Sequence, residues 1–340
     1  MTTLTFQQAL AQADDKKHLL LGNGFSIALK PDIFTYGSLY EHADFSDIPY
    51  ADQIFDALKT KDFEAVIRIL VDAAKLLKVY EDVDADVVQK IRADAEILKT
   101  ILVNTIASRH PDRPYDITAE QYAHCRQFLS NFSHIYTLNY DVLLYWALMQ
   151  DQVDELDLLP DDGFRSPEDD HDAPYVTWQE ADQAKVHYLH GALHLFDAGH
   201  EITKYTWRRT TQPIIEQIRT ALNEGKYPLF VSEGHSKFKQ ERVLHNAYLH
   251  KALRSFSNVG GSLFIFGHSL DSNDDHILNE IVKNTKFRSL FISLHGSASA
   301  TDINKIRTKA TLMAQQRATK SPRKPLDIHF FSAESAQVWG

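Results

Sequence analysis

Runs of apolar, β-branched and aromatic residues alternate along this chain with helical patterns, and that alternation limits the fold more than any other feature. The first run, His18 to Leu21, ends in Gly22-Asn23-Gly24 and continues as the apolar, helix-like stretch Phe25 to Leu29. Later β-rich runs fall at 134–137, 186–189, 228–232, 262–266, 289–294 and 327–331. Strands that alternate with helices form a mostly parallel sheet covered on both faces, and such sheets bind ligands outside the carboxyl ends of their strands. The expected fold is α/β: Rossmann-like, doubly wound, with a mostly parallel sheet.

The chain has 340 residues, 44% of them hydrophobic, enough for a substantial core, and we read residues 1–340 as one domain. A helical subdomain is expected as an insertion over residues 50–132. Phe63, Val66, Ile67, Leu70, Ala74 and Leu77 fall at helical spacing, as do Val87, Ile91, Leu98, Leu102 and Thr105, with the acidic break Glu81 to Asp86 between them. Residues 151–175, acidic and containing three prolines, read as a mobile surface loop. The net charge of −10 argues against a broad nucleic-acid surface. The single cysteine, Cys125, excludes an intrachain disulfide and a Cys-rich zinc site, and suggests a reducing, cytoplasmic setting. No apolar run reaches the ~18 residues that span a bilayer, and no leader pattern opens the chain.

Polar clusters follow the apolar runs. They are Gly22-Asn23-Gly24-Phe25-Ser26, Thr137-Leu138-Asn139-Tyr140-Asp141, His190-Gly191, and Gly267-His268-Ser269-Leu270-Asp271 continuing to His276. All should open onto one rim. The glycine turn fits neither G-x-G-x-x-G, which needs glycine at Ile27, nor a P-loop. Two readings of it stand open: close backbone packing, or a cradle for phosphate at a helix N-terminus.

Taken in order, GNGFS, TLNYD, HG and GHSLDSNDDH resemble the sirtuin-like domains of bacterial antiphage effectors that cleave NAD; the GNGF and GHSL…D variants are also similar to AbiH-type abortive-infection proteins. The stretch Pro228 to Gly234, with Lys237 and Asn246 to Leu249, resembles a segment of some of these proteins. The resemblance implies NAD as substrate and catalytic roles for Asn139 and His190. Gly22, Asn23, Gly24, Phe25, Ser26, Thr137, Asp141, Gly267, His268, Ser269 and Asp271 would contact the nucleotide. Within that set Gly22, Gly24 and Ser26 would cradle the diphosphate, and Gly267 and Ser269 would line the adenosine ribose. With Cys125 alone, the four-cysteine zinc module of the family's deacylases cannot form, so peptide deacylation is not expected. The implied function is a gated NAD glycohydrolase of antiviral defence and abortive infection, acting as a homo-oligomer or with an activating protein partner.

That chemistry suits the residues. Nicotinamide leaves a cationic ring as a neutral base, so the site must stabilise an oxocarbenium-like ribose and supply water, with no strong acid. An asparagine can hold a hydroxyl or water without adding charge, and a histidine can take the proton. Other readings are kept beside it. Asp141 can orient Asn139 or cap the helix 142–149, and Asp274 reads as a helix cap. His187 and His194 read as structural. The sets His187, His190, His194 and His268, Asp271, Asp274, His276 are weighed as metal ligands, but no metal is expected. Gly267-His268-Ser269 is compared with a nucleophile elbow, in which Ser269 would serve a hydrolase, but Asp271 stands where glycine is needed. A sensor that binds NAD or ADP-ribose without turnover is the alternative from another class.

Overall fold

The computed structural model describes residues 2–80, 82–156, 158, 160–180, 183–207, 209–224, 226–231 and 236–340. Among them the strands are β1 (Thr3–Leu4), β2 (Lys17–Leu21), β3 (His134–Thr137), β4 (Phe164–Arg165), β5 (Tyr175–Trp178), β6 (Val186–Tyr188), β7 (Gly191–Asp197), β8 (Ile202–Tyr205), β9 (Pro228–Phe230), β10 (Gly261–Phe266), β11 (Phe287–Leu294) and β12 (Asp327–Ser332).

One sheet has seven strands in the order β1-β12-β11-β10-β2-β3-β6, and every pairing in it is parallel. The fold is α/β and Rossmann-like. Leu19, Leu20 and Leu21 of β2 are completely buried, because a central parallel strand is covered on both faces. On one face Phe6 and Phe132 pack on Phe264, Phe128 packs on Phe266, and Phe6 also meets Phe128 and Phe331. On the other, Phe256 meets Tyr136 and Phe287. From β2 the chain adds β3 and then β6 on one side, and returns to add β10, β11 and β12 on the other. The order reverses between β2 and β10, which opens a crevice at their carboxyl ends.

Between β2 and β3 run the helices that were expected as an insertion. Phe63–Leu77 and Ala85–Arg109 pack on each other, and Ala119–Leu129 lies on the sheet through Phe128. Asp62 starts the first of them by accepting hydrogen bonds from the Glu64 and Ala65 amides. Glu81, at the expected acidic break, lies outside the described residues.

Two expectations are corrected. The run 228–232 was assigned to the parallel sheet, but β9 belongs to a second, antiparallel sheet, β4-β5-β8-β7-β9, inserted between β6 and β10. Ser232, Glu233 and Gly234 lie outside the described residues. The stretch 151–175 is not a free loop throughout. It contains β4, and the buried Arg126 holds it by pairing with Asp154 at 2.8 Å and donating to the Leu156 and Leu158 carbonyls. A buried guanidinium needs such partners, and this acidic, carbonyl-rich stretch supplies them. Asp157 and Leu159 within it are outside the described residues. No helix among the described residues is long and apolar enough to cross a membrane.

Candidate functional site

At the crevice the ends of β2 and β10 touch backbone to backbone. Gly22 donates its amide to the Phe266 carbonyl at 2.9 Å, and Gly24 donates to the Gly267 carbonyl at 2.8 Å. A Cβ on Gly22 would stand 2.7 Å from the Gly267 oxygen, and one on Gly24 would stand 2.5 Å from the Gly267 Cα. Gly267 itself has a φ of +69°, in the left-handed region. Packing thus accounts for these glycines, and the Gly24 amide is already engaged. The helix that follows, Gly24–Leu29, is a single short piece.

Above this junction lies a cavity of about 840 Å³, within the usual range for a small-molecule site. All the expected clusters reach it: Gly22, Asn23 and Gly24 from the first, Asn139 and Asp141 from the second, His190 from the third, and Gly267, His268 and Ser269 from the fourth. Phe63, Leu102 and Ile106 of the helical insertion form an apolar wall, and residues after β11 and near Trp339 close the far side.

Four expected contact residues do not line the cavity. Phe25 is buried against Trp339, whose indole donates to the Phe25 carbonyl. Ser26 is fully buried and faces the protein, so it cannot cradle a diphosphate. Thr137 is buried at the end of β3, where its hydroxyl accepts from the Asn139 amide at 3.0 Å. Asp271 is exposed and caps the 3₁₀ turn Ser272–Asp274 by accepting from the Asn273 amide.

Ser26 instead organises the second cluster. The Asn139 side-chain amide donates to Ser26 Oγ at 2.9 Å, and that hydroxyl donates to Asp141 Oδ2 at 2.5 Å. The other Asp141 oxygen accepts from the Leu143 amide, so the residue both orients and caps. Burial raises the Asp141 carboxyl above its ordinary value, and the Ser26 and Leu143 bonds act against that rise.

His190 follows β6 on the strand next to β3. Gly191 makes the turn possible: its φ is +76°, and a Cβ would lie 1.9 Å from the Leu229 carbonyl oxygen. The His190 Nε2 atom lies 3.0 Å from Nε2 of His276, whose Nδ1 lies 3.2 Å from Ser236 Oγ. Burial holds His190 well below the usual histidine range and His276 at about 4, so both are neutral near pH 7.

Full charges surround this pair. Lys239, 2% exposed, reaches Glu64 Oε2 at 2.9 Å and Asp274 Oδ1 at 3.2 Å, and Asp274 Oδ2 is 3.0 Å from His268 Nε2. The other His268 nitrogen accepts from the Leu270 amide, which places the ring hydrogen on Nε2, toward Asp274. Tyr140 donates to Glu64 Oε1 at 2.9 Å. Burial alone would raise Asp274, but Lys239 and His268 more than offset it and hold the carboxyl well below its usual range. Burial pushes Glu64 up despite the same lysine, since one ammonium is shared between two acids. Asp274 was expected as a helix cap, but its side chain makes no capping bond and turns into this cluster. Sequence reasoning missed Glu64 and Lys239 as site residues, and no local pattern marks either.

His190, Asp274 and His276 place donor atoms within 4.8 Å of one another, close enough to share a metal. As arranged, the two ring nitrogens face each other and the Lys239 ammonium sits on the carboxylate, so the donors are engaged and the local charge opposes a cation. His187 is held by the Ala184 carbonyl and Ser255, and His194 is buried against Tyr145 and Tyr188, away from any shared ligand position. Ser269 is exposed on the rim, and no described side chain hydrogen-bonds its hydroxyl. No curated protein matches the sequence. The family described as "Domain of unknown function (DUF4917)" matches residues 19–339, and the chain belongs to that family.

Proposed function

We propose that this protein hydrolyses the glycosidic bond between nicotinamide and ribose in NAD, the activity implied by its resemblance to sirtuin-like antiphage effectors. One observation carries the reading: Asn139 and His190, from adjacent strand ends, face one cavity at the point where the strand order reverses. That is where Rossmann-like sheets take dinucleotides.

Within this reading each residue has a role. The Asn139 amide is oriented by Ser26 without introducing charge, and its remaining polar atoms hold a ribose hydroxyl or the attacking water. His190 is neutral and accepts the proton, a contribution on the order of 10² to 10⁴ in rate. Gly22 and Gly267 line the cavity beside the nucleotide, and the apolar wall at Phe63, Leu102 and Ile106 accepts an uncharged ring. An enzyme of this kind must be restrained in its own cytosol. Phe63 and Glu64 both line the cavity, so a homo-oligomer contact or a protein partner that shifts their helix would gate access.

The test is nicotinamide release from NAD by the purified protein, alone and with candidate activators, beside Asn139→Ala and His190→Ala. Release that both variants lose while still binding ADP-ribose supports the reading. Tight NAD binding without release in any state would replace it with the sensor.

A further inference from the structure

We infer that His190, His276 and Ser236 form a proton wire, in which His276 is a positioning residue that keeps the cavity-facing nitrogen of His190 basic. The inference rests on the hydrolytic reading above and adds to it the route by which the proton leaves.

The chemistry demands such a route. In hydrolysis, a water oxygen bonds to the ribose C1′, the glycosidic C–N bond breaks with its electron pair passing to the nicotinamide nitrogen, and one proton is released. His190, the acceptor, is buried and faces only balanced charges: Asp274 and Lys239, with His268 beyond Asp274 and Glu280 near His276. A proton left there would charge a ring that its surroundings keep neutral, so it must be passed on.

The geometry offers an exit. The contact between the His190 and His276 Nε2 atoms, at 3.0 Å, requires one of two neutral rings to carry the hydrogen. Asp274 Oδ1 lies 3.9 Å from His190 Nε2 and favours the hydrogen on that atom. His190 Nδ1 is then bare, and among the described residues it has no hydrogen-bond partner. His276 in turn carries its hydrogen on Nδ1, toward Ser236 Oγ at 3.2 Å. His276 is 2% exposed and lies behind His190, off the cavity wall, whereas Ser236 is partly exposed. A proton taken at His190 Nδ1 is matched by transfer of the Nε2 hydrogen to His276, and of the His276 Nδ1 hydrogen to Ser236 and solvent; between turnovers the Nδ1 hydrogen exchanges with water in the vacated cavity and the relay runs back from solvent through Ser236, restoring both rings. The opposite arrangement, with His276 donating to His190, would leave His190 protonated at Nδ1 and useless as a base.

The experiment uses the full chain labelled with ¹⁵N-histidine, with the His190 signals assigned by loss in His190→Ala. Near pH 7, His190 is expected as the Nε2–H tautomer; an Nδ1–H signal overturns the inference whether or not NAD is cleaved. Turnover then separates wire from scaffold. In His276→Phe, kcat should fall at least about 10²-fold with KM and ADP-ribose affinity unchanged. His276→Gln should retain more, since its carbonyl can still accept from His190 Nε2, and Ser236→Ala should lose least. Equal losses in the Phe and Gln variants, or losses confined to KM and affinity, would reduce His276 to packing and overturn the wire. Absence of nicotinamide release by the wild type in every state would instead remove the hydrolytic reading and leave the tautomer result standing.

Discussion

Asn139 and His190 reach the same cavity from neighbouring strands, yet they are held in opposite ways. Asn139 is set by a short chain through Ser26 to Asp141, without a cation among its contacts. His190 is a neutral ring backed by another neutral ring, inside a shell of full charges built on Lys239, Glu64 and Asp274. The difference separates two ways of protecting a polar group from water: the first side needs only aligned dipoles, while the second depends on a charge balance that fails when any member is removed or protonated.

Acid should act first through the histidines buried neutral, of which His276 stands on the charged side and His110 and His187 lie elsewhere in the core. A histidine buried neutral has a folded-state pKa below its unfolded value, so the unfolded chain binds more protons as pH falls, and stability present above pH 6.5 is lost on the way down. His110, His187 and His276 are each lowered from 6.5 to about 4, chiefly by burial. Each contributes on the order of 3 kcal/mol above that window, a large share of a typical domain's stability. Cooperative unfolding is expected between pH 6.5 and about 4, read by circular dichroism; a flat stability profile across that window would contradict neutral burial of these rings.

Next in size is Lys239→Met. Removing the ammonium leaves Glu64 and Asp274 facing each other without a cation, a loss expected at about 3–5 kcal/mol, read as the denaturation midpoint. The double variant Lys239→Met with Asp274→Asn should recover part of it, since one uncompensated charge goes as well. A single variant as stable as the wild type would mean that the cluster is not ionic.

On the other side the largest effect is on turnover. Asn139→Ala should lower kcat by about 10²- to 10³-fold, the usual consequence of losing one preorganised polar contact, with the fold retained because its remaining partner is Ser26. Ser26→Ala should cost about 1–3 kcal/mol of stability, since Asn139 loses its acceptor and Asp141 its donor. Its turnover should fall by less than that of Asn139→Ala. If the two variants were equally slow, the amide would matter only through its orientation.

How much of this was legible depends on whether the signal is local. The parallel strands read directly because burial on both faces forces apolar runs such as Leu19-Leu20-Leu21 and Leu263-Phe264-Ile265-Phe266. Their order led to the expectation that the strand-end clusters share one rim, and Gly22, Asn139, His190 and Gly267 line one cavity. The antiparallel sheet was hidden because four of its five strands have four residues or fewer, β4 having two and β9 beginning with a proline. The charged cluster was hidden for another reason: Glu64, Lys239 and Asp274 come from three separate segments, and each alone reads as an ordinary helix-surface or helix-start residue. Ser26 was placed correctly beside the junction but with the wrong facing, because a six-residue helix carries too little periodicity to show which side is inward.

The smallest expected effect separates two serines that the sequence treats alike. Ser26 and Ser269 each follow a glycine turn at the end of a central strand, but Ser26 is enclosed and bonded on both sides whereas Ser269 stands on the exposed rim with no side-chain partner among the described residues. A hydroxyl already in water loses nothing by becoming a methyl, so Ser269→Ala should stay within about 0.5 kcal/mol of the wild type. Nucleophilic catalysis would require a base within hydrogen-bond reach of that oxygen, and both His268 nitrogens are taken by Asp274 and Leu270. NAD turnover by Ser269→Ala should therefore stay within a few-fold of wild type, checked by nicotinamide release; complete loss, together with a covalent ADP-ribosyl adduct on Ser269 in the unmodified protein, would move the chemistry from the Asn139 and His190 side of the cavity to its rim.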